Sequence, residues 1–156
     1  MLSIGDFETA VRVAREWMAA MVSEENDGTL LLAAWASQHL CWTDVDVPNE
    51  TSFEEVWRDP DTAFGKRMGH VVTLIQSGAA DVEGHRVTAG LVEAGDETLS
   101  FFAVGDASAL LVADTARFCG VVTGTYEYRG SNGTPQRAVT VVGMFDCPEN
   151  RARPRG

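Results

Sequence analysis

Apolar positions recur three and four apart at the start of the chain and nearly every second position in its later half. Phe7, Val11, Ala14, Met18 and Met21 share one helical face, with Ala10 and Trp17 beside them, while Arg12, Arg15 and Glu16 fall elsewhere. The spacing predicts an amphipathic helix from about Asp6 to Val22. Ser23 to Gly28 is polar, ends in Asp-Gly and reads as a loop. Thr29 to Leu40 predicts a second helix, apolar nearly all round and therefore buried. Ser52 and Glu55 stand at capping-box spacing, so a short third helix begins there. Asp59-Pro60 stops it, because the residue before a proline is pushed out of the α region.

From Lys66 the pattern changes to strands. His70 to Gln76, Arg86 to Glu93 and Thr98 to Val104 predict three of them, with Ser77 to Gly84 a polar connection and Ala94 to Glu97 a turn. Gly105-Asp106 breaks the pattern, and Ala107 to Leu111 has room for one helical turn. Arg117 to Tyr128 and Arg137 to Phe145 form the clearest β signal, two long strands around the turn Gly130-Ser131-Asn132-Gly133-Thr134-Pro135. Five strands with a break between the third and fourth fit a small, partly open Greek-key barrel. Gly90, Gly105, Gly120, Gly124 and Gly143 fall inside or at the ends of strands, where such a barrel coils. The expected fold is α+β, with N-terminal helices packed on a five-stranded Greek-key β-barrel. Residues 1–58 form its acidic helical part, 59–147 the barrel and 148–156 a frayed tail of a single domain.

The charge is unevenly spread. Residues 1–65 hold 13 Asp or Glu against 3 Arg, and residues 66–156 hold 10 acids against 9 Lys or Arg, for a total of −11. A phosphate backbone needs a basic footprint, which the first part lacks and the second shows only thinly. Cys41, Cys119 and Cys147 are far apart and odd in number, so they read as reduced, mostly buried thiols. The acidic start of the chain has neither the basic opening nor the apolar run of a signal peptide, and no run is long enough to span a membrane. The expected location is cytoplasmic.

Asp59 to Arg67, running directly into the strand His70 to Gln76, and Leu110 to Val122, a leucine pair and turn leading into a glycine-bearing strand, together resemble the tRNA-anti-like group of bacterial OB domains. The likeness covers about residues 57–146. The usual Val-Gly-Val beat of the first strand is replaced by Met68-Gly69-His70-Val71. The resemblance implies an OB-fold, and the group's name implies nucleic acid.

On such a barrel the ligand surface is the face of strands two and three with the flanking loops. Phe101 and Phe102 point to opposite faces, so one of them is core. Tyr126 and Tyr128 share a face near the hairpin tip, with Arg129 and Arg137 at the same end, and Phe102, Tyr126, Tyr128, Arg129 and Arg137 form the candidate binding patch. Strand aromatics more often pack than bind. His39, His70 and His85 have no metal-binding or catalytic spacing, although the starts of the first two strands offer His70 and His85 a chance to converge. Asp44-Val45-Asp46 lacks the further oxygen ligands and glycine of a calcium loop. No catalytic residue, metal site or cofactor is expected.

The sequence therefore points to a non-enzymatic binding module for a protein or small ligand. Single-stranded nucleic-acid binding through the barrel face is one alternative. A small cyclase or isomerase of cystatin-like shape, with an internal pocket, is another. The acidic helical part either covers the barrel or offers a negative surface to a basic partner.

Overall fold

The computed structural model describes residues 7, 9–11, 27–82, 84–107, 110–129 and 132–153. Among the described residues, four helices with both ends defined precede the strands: α1 (Asp27–His39), α2 (Trp42–Val45), α3 (Phe53–Arg58) and α4 (Pro60–Ala63). Five strands follow, β1 (Arg67–Val82), β2 (His85–Ala94), β3 (Glu97–Ala103), β4 (Thr115–Arg129) and β5 (Pro135–Phe145), and then α5 (Pro148–Arg151). Of the predicted helix Asp6 to Val22, positions 7 and 9–11 are helical, and the rest, with Trp17, lies outside the described residues. None of the described helices is long and apolar enough to cross a membrane.

The capping logic of the sequence is visible at α3, where Ser52 accepts a hydrogen bond from the Glu55 amide. Asp59 ends α3 and at once caps α4, accepting from the Thr62 amide, with Pro60 in the first turn where its missing N–H costs nothing.

The strands pair in the order β1-β2-β3-β5-β4, and β4 pairs back onto β1, so the ring of hydrogen bonds is closed and barrel-like rather than partly open. All neighbours are antiparallel except β3 and β5, which run parallel from Leu99↔Val139 to Ala103↔Gly143. Period-two alternation sends Phe101, Phe118 and Phe145 inward, where their ring centroids lie 4.9–5.8 Å apart. Val72, Val92, Leu99, Val122, Val139 and Val141 fill the space around them, and Val56 and Ala63 from α3 and α4 join the same interior. The outward alternates Cys119, Val121, Val142 and Met144 are buried too, in one cluster with Leu32 and Trp35 of α1. That two-sided burial explains why β5 reads as a nearly continuous apolar run. Thr29 of α1 donates a buried hydrogen bond to Thr123 of β4 at 2.8 Å.

Four strands, β1, β2, β4 and β5, are longer than the sequence pattern indicates, β1 by the most. The polar run Ser77 to Val82 continues β1, pairing with β2 through Val82↔His85, and its start, Ser77 to Ala79, is exposed on both faces, which hides the alternation. Residues 148–153 of the tail also differ from a frayed segment, and 154–156 lie outside the described residues. Asn150 is buried, donates to the Asp106 and Phe145 carbonyls and accepts from the Asp106 amide. Arg153 donates to the Ala36 and Ser37 carbonyls in the last turn of α1. Asn150→Ala removes three buried or half-buried hydrogen bonds, from the Asp106 amide and to the Asp106 and Phe145 carbonyls, and a loss of about 2–3 kcal/mol in denaturant unfolding is expected. A change within about 0.5 kcal/mol would mean that the tail is not fastened this way.

Candidate functional site

The outer face of the sheet is divided. Where Val142 and Met144 face α1 it is covered, and farther along β5 it opens into a cleft of about 920 Å³. The register builds its floor row by row. Gln76, Leu91, Ser100 and Thr140 stand side by side across β1, β2, β3 and β5, and Ala89 and Phe102 form the next row. Gly124 closes the first row on β4, and a Cβ added there would meet nothing within 4 Å, so no side chain fills that end. The β1 register shifts between Leu74 and Gln76, a bulge that gives the strand an extra residue, Ile75, at the rim of the cleft.

The β4–β5 hairpin forms the opposite wall. Tyr126 and Tyr128 lie on one face of β4 with ring centroids 5.9 Å apart and planes 10° from parallel. Arg129, Asn132 and Gln136 complete that side, and Arg129 donates to the Gly133 carbonyl within the turn at 2.9 Å. Among the described residues, Glu93 on β2 is the one carboxylate lining the cleft, and Arg129 the one cation.

Four of the five residues singled out in the sequence, Phe102, Tyr126, Tyr128 and Arg129, therefore border one cleft. Arg137 does not. It pairs with Glu127, whose side chain alternates to the face opposite Tyr126 and Tyr128, and its guanidinium lies 4.0 Å from the centre of the Trp57 ring. Trp57 in turn donates to Glu97 at 3.2 Å. Thr140 is the residue that sequence reasoning missed. It is 2% exposed, and its Oγ1 has no hydrogen-bond partner among the described residues. The signal was present, since it is the one hydroxyl inside the run Ala138 to Phe145 and alternates outward with Ala138 and Val142.

The histidines stay apart. His85 pairs with Val82, twelve positions along β1 from His70, and it contacts Gln38 at 3.2 Å through Nε2. His39 packs on Trp35. His70 packs on Phe53 with centroids 5.0 Å apart, its Nε2 is buried with no hydrogen-bond partner among the described residues, and burial holds its imidazole below the usual value. Asp44 accepts from the Cys41 amide, and Asp46 accepts from Trp42 Nε1 and from Arg117. Both carboxylates of that pair are thus engaged in the fold. Among the described residues no three His, Cys, Asp or Glu side chains are grouped to hold a metal. Burial pushes the Cys119 thiol up to about 11, well away from a reactive thiolate.

His70 gives a pH dependence with a definite sign. The unfolded chain takes a proton near pH 6.5, and the folded imidazole resists it. The stability held by neutral His70 is complete above about pH 6.5 and falls as pH drops toward the lowered folded value. Asp59 and Asp146, held low by hydrogen bonds from Thr62 and from Arg151, act only in the more acidic range below about pH 4. The urea midpoint is expected to fall between about pH 7.5 and pH 5.5. It is expected to fall less in His70→Gln, and an equal fall in both would exclude His70 as the cause.

No family model, curated protein or solved structure matches the chain, so the geometry of the cleft carries the functional reading.

Proposed function

We propose that the chain is a non-enzymatic binding module of OB-like build whose ligand, a protein segment or a small molecule, lies in the cleft over β2 and β3. The order β1-β2-β3-β5-β4 with its parallel β3–β5 contact supports the OB-like part, and the narrower likeness to the tRNA-anti-like group rests on the sequence alone. The observation that carries the functional part is convergence. Phe102, the stacked Tyr126–Tyr128 pair and Arg129 meet around one concavity of ligand size, over a floor that holds a buried, unpaired hydroxyl. Tyrosine and arginine are the side chains that most often dominate binding energy, and tyrosine adds large contact area at little entropic cost. The interior of the ring is occupied by Phe101, Phe118 and Phe145, so the alternative with an internal pocket is not carried forward.

Single-stranded nucleic acid is the second reading, favoured by the tyrosine stack beside Arg129. Charge opposes it, because Arg129 and Glu93 balance in the cleft and the whole chain carries −11. A thermal-shift screen of small molecules and peptides, run beside an oligothymidylate at low salt, tests the proposal. Stabilising compounds whose effect vanishes in Tyr126→Ala/Tyr128→Ala support it. Salt-sensitive binding of the oligothymidylate alone would replace it with the second reading, and compounds that stabilise both proteins equally would contradict it.

A further inference from the structure

Resting on the cleft reading, we infer that the Ser100–Thr140 pair recognises an uncharged planar ligand carrying an adjacent N–H donor and carbonyl acceptor, the edge presented by a lactam or a carboxamide. The two residues are register partners on neighbouring parallel strands, so their side chains leave the same face side by side. Each hydroxyl offers one donor and acceptor lone pairs, and two together match an edge that has one of each. Thr140 gives the pair its discrimination. Its hydroxyl is almost wholly removed from solvent and unpaired among the described residues, a state that destabilises the free protein and is relieved by a ligand that satisfies it. A buried polar group of this kind rejects a ligand that leaves it unpaired far more strongly than an apolar wall rejects a change of shape. The surroundings set the rest of the class. Tyr126, Tyr128 and Phe102 supply flat apolar faces, Gln76 and Gln136 supply neutral amides, and the opposite charges of Glu93 and Arg129 leave no excess for an anion or cation.

Thr140→Val keeps the side-chain shape and removes the hydroxyl, so it separates recognition from folding. The thermal midpoint of Thr140→Val is expected to rise or stay level, because the unpaired hydroxyl is gone. Binding is followed by amide chemical shifts of the whole chain, titrated with 2-pyridone, which has the donor–acceptor edge, and with N-methyl-2-pyridone, which has the ring and carbonyl without the N–H. The same edge on a peptide side chain is represented by N-acetylglutamine methylamide, and the tighter of the two edge-bearing probes identifies the source. At least one of them is expected to shift Ser100 and Thr140 and to lose about tenfold in affinity in Thr140→Val, and N-methyl-2-pyridone is expected to bind about tenfold more weakly than 2-pyridone. If N-methyl-2-pyridone binds as well as 2-pyridone, or Thr140→Val binds as the parent does, the hydroxyl pair is not the reader, although the cleft remains a binding site. If neither edge-bearing probe binds but an unrelated compound shifts the same residues, the ligand class is wrong and the cleft reading stands. If no compound perturbs the cleft at all, both fail.

Discussion

Gly143→Ala is expected to lose about 4 kcal/mol of folding stability, lowering the thermal midpoint by about 10 °C. Gly143 lies in a row of small residues, Ala103, Gly143 and Gly120, where β3, β5 and β4 cross. A Cβ built on Gly143 falls on backbone, and its nearest neighbours are the Cys119 carbonyl and the Gly120 Cα. No rotamer change relieves that overlap, so β4 and β5 must separate, and the pairing that closes the ring is weakened with them. For a domain whose whole stability is of order 5–15 kcal/mol this is a large fraction. Gly78→Ala is the matched control. Gly78 is also a strand glycine, but nothing lies within 4 Å of its Cβ position, and a change within about 0.5 kcal/mol is expected. Chemical denaturation of the three proteins checks both values, and equal losses at the two positions would remove the close approach as the reason for Gly143.

Tyr126→Ala/Tyr128→Ala is expected to leave the fold intact and to weaken ligand binding by about a hundredfold or more. The hairpin that carries the two rings projects beyond the ring of strands, and Tyr126 is 40% exposed, so truncation removes little core. Each ring supplies a flat face to the cleft, and a central tyrosine in an interface contributes about 2 kcal/mol or more to binding. Isothermal titration with a ligand from the stability screen, beside a denaturation curve of the variant, gives both quantities. Loss of binding together with loss of folding would identify the rings as packing, and retained binding would remove the hairpin from the site.

Much of the architecture is legible in the chain because it is local. Five strands, the cap at Ser52 and the opposite directions of Phe101 and Phe102 follow from spacing and alternation. The direction of Arg137 depends on the hairpin register, in which Glu127, alternating with Tyr126 and Tyr128, pairs with Arg137. The extension of β1 through Ser77-Gly78-Ala79 was hidden because a strand exposed on both faces carries no apolar period. Ring closure, the parallel β3–β5 contact and the burial of Asn150 depend on residues far apart in sequence, and no local pattern encodes them. The cleft was legible only at its rim. Its aromatics stand out in the sequence, whereas Ser100 and Thr140 become a pair only when β3 and β5 lie side by side.

The most direct test is an amide chemical-shift map of the whole protein with any compound that stabilises it in the thermal screen. The predicted result is a set of perturbations centred on Leu91, Ser100, Phe102, Tyr126 and Thr140. Perturbations centred on α1, or on the opposite side of the hairpin around Glu97 and Arg137, would contradict the assignment of the cleft as the binding site.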